Sequence, residues 1–349
     1  MFSQELTERE KTILRYVIHQ FILTASPVGS RNISKKYEIG LSPATVRNIM
    51  ADLEDLGFLN HPHTSAGRVP TDKGYRFYVD SLMEPHLLSP QEMSLIDRSI
   101  LQEMIEREEV LKLTSMLLSN ITNLLACVTY PKFDDALLQK IQLVELGGSK
   151  ILIVLTVKSG VVKTITLEIH QPAETKQLKA IERTLNERLS GLKFSEIRES
   201  FKDRLQGTID ENMKPIIRVF LNSVDKIFSD IEGTEKTFIT GARNIVRQPE
   251  FEDLSHFQSI IELIEDKDVI IHMMDQSAEL TTEDVSILIG GEHKDEKLNE
   301  YSLVTKTYKL GGTAGKVGIV GPKRMEYSRV VASVVYIAEV LSKQLKNTY

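Results

Sequence analysis

Residues 42–57 read SPATVRNIMADLEDLG, and residues 58–76 read FLNHPHTSAGRVPTDKGYR. Ser42 followed by Pro43 is a strong helix start, because the serine hydroxyl accepts from a free N–H while proline at the first helical position has none to leave unpaired. Gly57 supplies the stop. Between them Val46, Ile49, Met50, Leu53 and Leu56 form one apolar stripe, leaving Ala44, Thr45, Arg47, Asn48 and Ala51 on other faces. The outward N-terminal half is small, polar and basic. Asp52, Glu54 and Asp55 fall in the other half, where a phosphate is repelled.

Working outward, Ser30 is the expected cap of a short helix through Tyr37, with Ile33 and Tyr37 inward and a turn at Gly40. Before it, Ile13, Leu14, Val17, Ile18 and Phe21 recur at helical spacing between Thr7 and Thr24, and Thr7 with Glu10 makes a capping-box pattern. After Gly57, Phe58 and Leu59 start a short strand, Asn60 to Gly67 form a polar loop, and Arg68 and Val69 begin the return strand. Thr71 then caps a closing helix. A helix-turn-helix followed by a Gly-Arg wing and a basic capped helix is the pattern of a module that enters the major groove of double-stranded DNA. An ordinary αα-hairpin accounts for the first part alone; the wing is what favours DNA.

Base reading in that module belongs to Thr45, Arg47 and Asn48, since arginine suits guanine edges and asparagine suits adenine. Ser30, Arg31 and Ser42 at two helix starts, and His63, Thr64, Ser65 and Arg68 in the wing, join the candidate DNA-binding set. Lys73, Tyr75 and Arg76 on the closing helix are expected to reach phosphates, positioning the protein without specifying sequence.

At 349 residues the chain is too long for one compact core and suggests two or three domains. With 41% hydrophobic and 26% charged residues it is globular in composition. The formal charge of -6 argues against a chain that coats nucleic acid or anionic membrane nonspecifically. By region the balance differs: residues 1–83 hold ten cations and nine acids, while the remainder carries a net charge of -7. The single cysteine, Cys127, excludes a disulfide framework and multi-cysteine metal sites, and its apolar neighbours mark it as buried and inert. Neither a signal peptide nor a membrane-length apolar run stands out, so a cytoplasmic location is expected.

Beyond the head, Leu87 to Val128 reads as a connecting helical stretch, in which Ser89, Pro90 and Glu92 mark a helix start and Leu113, Leu117, Leu124 and Leu125 supply apolar positions. Leu138–Leu146, Ile151–Val157 and Val161–Ile169 read as an antiparallel meander. A helical block follows Pro172, with Leu178, Ile181, Leu185 and Leu189 on one stripe. A second helix, from about Lys214 to Ile231, is apolar on more than one face. Strands return at Val285–Ile289, Tyr301–Tyr308 and Lys316–Val320, before a final helix from about Glu326 to Lys346. Strands on both sides of a helical block suggest one α+β domain interrupted by an insertion.

The runs from His63 to Asp80, Ser42 to Asn48 and Met50 to Glu54 closely resemble the HrcA family, the heat-inducible transcription repressors of bacteria. Tyr301–Val304, Gly311-Gly312 and Gly318–Val330 resemble that family's C-terminal motifs. The resemblance implies a winged helix-turn-helix at 1–83, a GAF-like antiparallel-sheet domain in two parts (84–180 and 280–349, the first with a linker helix), and an inserted helical dimerisation domain at 181–279. It also implies repression of chaperone operons by a homodimer bound to an inverted-repeat operator, with the chaperonin GroE system maintaining the active repressor.

Other readings are weaker. Gly311 to Val317 superficially suggests a phosphate loop, but the glycine spacing is one residue short and Val317 replaces the hydroxyl that holds magnesium. His61 and His63 lack a third ligand beside them. His293, near Glu292 and Asp295, lies in a charged stretch read as a solvated loop. No catalytic pattern, metal site or cofactor is expected, and the chain is not read as an enzyme. A winged-helix regulator whose GAF-like domain senses a small molecule is the alternative, with strands around Ile151, Ile165, Ile319 and Val320 enclosing either a pocket or a filled core.

Overall fold

The computed structural model describes residues 6–62, 67–101, 107–147, 149–158, 160–169, 174–205, 214–229, 237–276, 285–310 and 313–347. Helix α1 (Glu8–Thr24) opens with the expected capping box: Thr7 Oγ1 accepts from the Glu10 N–H at 3.3 Å, and the Glu10 carboxylate accepts from the Thr7 N–H at 2.7 Å. Its Ile13, Leu14, Val17 and Ile18 are buried. Helix α2 is Ser30–Lys36; Gly29, not Ser30, is its N-cap, so Ser30 is the first helical residue. Helix α3 (Pro43–Asp55) starts where Ser42 Oγ accepts from the Thr45 N–H at 3.1 Å, and buries Val46, Met50 and Leu53.

The wing follows. Strands β1 (Leu59–Asn60) and β2 (Val69–Pro70) pair antiparallel, and Val28 bridges to Arg68 through N–H to carbonyl bonds of 2.9 and 3.0 Å. Helix α4 (Asp72–Phe77) is capped by Thr71 and runs into a π-helical turn, Tyr78–Leu82. Gly74 of α4 lies so close to the Phe58 carbonyl that a β-carbon there would overlap it.

Then come α5 (Pro90–Ile100), α6 (Arg107–Thr122), β3 (Leu125–Thr129), where the stretch expected to stay helical to Val128 is instead strand paired with β10, and the meander β4 (Leu138–Glu145), β5 (Lys150–Val157) and β6 (Val162–Glu168). Helices α7 (Thr175–Leu189), α8 (Phe194–Leu205), α9 (Lys214–Asn222) and α10 (Val224–Phe228) precede β7 (Thr237–Thr240) and α11 (Ala242–Ile245). The remainder is α12 (Leu254–Glu265), α13 (Lys267–Gln276), β8 (Ser286–Ile289), β9 (Tyr301–Leu310), β10 (Thr313–Pro322) and α14 (Tyr327–Asn347). The α+β class, with a winged helix-turn-helix head and antiparallel sheets, is as expected from sequence.

Two compact units emerge. One holds Met1–Val128, Phe238–Thr307 and Val317–Leu341; the other holds Thr129–Thr237, Tyr308–Lys316 and Ser342–Tyr349. In the first, the order β7-β3-β10-β9-β8 defines a five-stranded sheet, with β3 and β10 antiparallel from Leu125↔Val320 to Val128↔Val317. Helices α12 and α13 cover it: Ile260, Leu263, Ile270 and Met273 share a core with Leu125, Cys127, Tyr301, Leu303 and Val320. Residues 254–276, expected inside the insertion, therefore contribute to this sheet's core.

The second unit contains the antiparallel meander β4-β5-β6, in register from Leu143↔Ile153 to Ile153↔Ile165. The sequence assigned it to the first part of the GAF-like domain, yet Ile151 and Ile165 lie in this sheet while Ile319 and Val320 belong to the five-stranded one. Period-two patterning identifies a strand, but the sheet it joins depends on partners far along the chain. The long helix expected at Lys214–Ile231 breaks at Ser223, and Lys163, buried in β6, donates to the carbonyls of Ile227 and Ser229 at the end of α10.

Candidate nucleic-acid interface

The N-terminal half of α3 presents Ser42, Thr45, Arg47 and Asn48 to solvent, because Val46 and Met50 take the inward positions. Arg47 and Asn48 make no side-chain hydrogen bond or ion pair among the described residues, which leaves a guanidinium and an amide free for base edges. Arg31 is likewise exposed on α2, which packs against α3, and Ser30 is partly buried. These residues share one helix pair.

The remaining candidates are placed differently. Arg68 Nε lies 2.7 Å from Glu54 Oε2, so this wing cation is paired with the acidic end of α3. Lys73 is exposed, with Nζ donating to the Leu56 carbonyl at 2.7 Å and standing 4.4 Å over the Phe58 ring. His63, Thr64 and Ser65 lie outside the described residues.

Tyr75 and Arg76 depart from the sequence expectation. Tyr75 is 3% exposed, and burial pushes its phenol pKa well up. Its ring lies 6.0 Å from that of Tyr327. Arg76 Nε and Nη2 donate to the two carboxylate oxygens of Glu292 at 2.7 and 2.5 Å, and Nη2 also donates to the Ile287 carbonyl at 2.7 Å. The hydrogen bond to Glu292 is the main reason its guanidinium is held still more firmly protonated than usual. On a six-residue helix, two of the three predicted phosphate contacts face the sheet domain, a choice made by packing and not by local charge.

Glu292, read from sequence as part of a solvated loop, is the residue that reasoning missed. It sits in a 3-10 turn, Gly290–Glu292, and its Oε2 also accepts from the Ile289 N–H at 2.8 Å. His293 beside it is 6% exposed, not solvated. The only hint in the chain was the compact Gly-Gly-Glu after a strand, which says nothing about a partner 216 positions earlier. The other discarded motif resolves simply: Thr313–Val317 is strand, and the Lys316 N–H donates to Thr129 Oγ1 at 2.9 Å, whereas a phosphate loop feeds a helix. No cluster of metal-ligating residues occurs among the described residues.

The chain matches the family model described as HrcA protein C terminal domain over residues 108–331. It is 38% identical over 353 residues to the heat-inducible transcription repressor HrcA of Chlorobium phaeobacteroides (strain BS1), covering 99% of this chain and 100% of that protein. The protein of the same name from Prosthecochloris aestuarii (strain DSM 271 / SK 413) is 39% identical, with 98% of both chains covered. A crystal structure at 2.2 Å resolution, described as a hypothetical protein, shares the fold with a TM-score of 0.60 at 24% identity, covering 99% of this chain and 100% of that one. With the full length matched at this identity, and a head whose α3 leaves Arg47 and Asn48 free, the chain belongs to the HrcA family.

Proposed function

We propose that this chain represses transcription of heat-shock chaperone operons by binding an inverted-repeat operator in double-stranded DNA as a homodimer. The observation that carries this reading is the free, exposed N-terminal half of α3, where Thr45, Arg47 and Asn48 stand clear of the core on a capped, well-anchored helix. The relatives named heat-inducible transcription repressor support it. Thr45, Arg47 and Asn48 read bases; Ser30, Arg31, Ser42 and the wing residues His63, Thr64, Ser65 and Arg68 line the duplex; Lys73 supplies a charge beside it. Tyr75 and Arg76 act from behind the interface.

The energetics support a dimer. A head with ten cations and nine acids has modest affinity alone, while two tethered heads face two half-sites and raise each other's effective concentration. The chaperonin GroE system, implied by the family resemblance, is the partner that keeps the repressor active. A gel shift decides the reading: the protein should retain a duplex carrying the inverted repeat of its chaperone operon against excess random duplex. Equal retention of both duplexes would refute it.

A further inference from the structure

Helix α4 is attached to the sheet domain at both ends. At its start, Asp72 Oδ2 accepts from the Gly291 N–H at 2.8 Å and Oδ1 lies 3.1 Å from Lys323 Nζ. At its end, Arg76 is gripped by Glu292 and by the Ile287 carbonyl. Glu292 is itself held by the Ile289 N–H. Gly290, at φ +52°, comes so close to the Asp72 carboxylate that a β-carbon would overlap it.

A second attachment lies at the far end of α1. Arg324, paired with Glu250 and donating to Gln248 at 3.2 Å, also donates to the Ile22 carbonyl at 2.5 Å. One contact leaves a hinge, but attachments on two different helices resist rotation. Main-chain groups of Gly291, Ile287 and Ile22 take part, so the docking is set by shape as well as by charge.

We propose that Glu292, acting through Arg76, and Arg324 are positioning residues that fix the direction in which the recognition helix α3 is presented to DNA. The proposal rests on the DNA-binding reading above. Two heads that read an inverted repeat must meet it at one separation and angle. A freely turning head loses orientational entropy on binding and lowers the effective concentration of the second head. Loosening this docking should therefore cost affinity for a whole repeat and spare affinity for a single arm.

The test uses the full-length protein, its Glu292→Ala, Glu292→Gln and Glu292→Ala/Arg76→Ala variants, and two labelled duplexes, one with the whole repeat and one with a single arm. Glu292→Ala should weaken whole-repeat binding by roughly tenfold, with single-arm binding within about twofold of the parent. Adding Arg76→Ala should cost less than the same change costs in the parent, since only the Ile287 and Asp80 contacts remain to be lost, and Glu292→Gln, which keeps an acceptor, should recover most of the loss. Amide exchange at Ile289 and Gly291 should accelerate while that of β3 stays slow; if β3 also accelerates, the glutamine variant carries the comparison.

Equal losses on both duplexes, no loss, or tighter repeat binding by Glu292→Ala would overturn the positioning role alone. A parent protein that cannot tell the repeat from random duplex would overturn the DNA reading and the role together, while the exchange data would still report whether the docking exists.

Discussion

Lys73 Nζ lies 2.7 Å from the Leu56 carbonyl oxygen, so a cation from α4 caps the C-terminal end of helix α3. The same ammonium rests 4.4 Å above the Phe58 ring. A residue that sequence marks as a phosphate contact thus also holds the head together. A cation at a helix C-terminus contributes about 0.3–1 kcal/mol. Lys73→Met, which keeps the stem and removes the charge, should destabilise the head by roughly 0.5–1 kcal/mol. Faster amide exchange across β1 and β2, with unchanged exchange in the meander, is the expected readout.

Arg47 and Asn48 should carry sequence discrimination. Replacing either by alanine should reduce the preference for the repeat over random duplex by about 1–3 kcal/mol while changing random-duplex binding little. Competition titrations at fixed salt measure the ratio directly. A uniform loss on both duplexes would assign these side chains to the backbone instead.

Gly74→Ala should destabilise the head. The added β-carbon meets the Phe58 carbonyl, a main-chain group that cannot rotate aside. Overpacking of this kind costs about 1–3 kcal/mol. Denaturant titration followed by exchange in α3 and β1 should show the loss confined to the head.

His293 should make stability fall on mild acidification. Burial lowers its pKa below the ordinary value, and the Tyr301 backbone and the charges of Glu292 and Asp72 oppose that shift without cancelling it. The unfolded chain therefore binds a proton that the folded chain resists. The contribution is fully present above the unfolded pKa of about 6.5 and is lost as pH falls from there toward the lower folded value. His293→Phe should flatten the pH dependence of the melting temperature in that window. An unchanged slope would remove the residue from the account.

Cys127 should be inert to alkylation in the native protein. It is fully buried in β3, and burial pushes its thiol up to about 12, so almost no thiolate forms near neutral pH. Iodoacetamide should label it only in denaturant, as read by intact mass. Rapid native labelling would show that the sheet core opens readily.

Much of the head was legible because its signals are local. Ser42-Pro43, Thr7 with Glu10, and Thr71 each cap a helix within a few residues, and α3's burial at Val46, Met50 and Leu53 follows its apolar period. The free Arg47 and Asn48 follow from the same period, since a stripe facing inward leaves the complementary face outward. The meander was equally readable as strands. Its assignment to one sheet and not another, and the place of α12 and α13 on the five-stranded sheet, were not, because period alone does not name a partner.

What the sequence by itself determined is therefore the helices and wing of the head, the strands of the meander and the exposed face of α3. Only the tertiary structure decided that Tyr75 is buried, that Arg76 pairs with Glu292, and that Asp72 meets Gly291. The physical reason is range. Capping and periodicity act over a single turn of chain, whereas an ion pair across 216 positions exists only once two separately patterned surfaces have packed together.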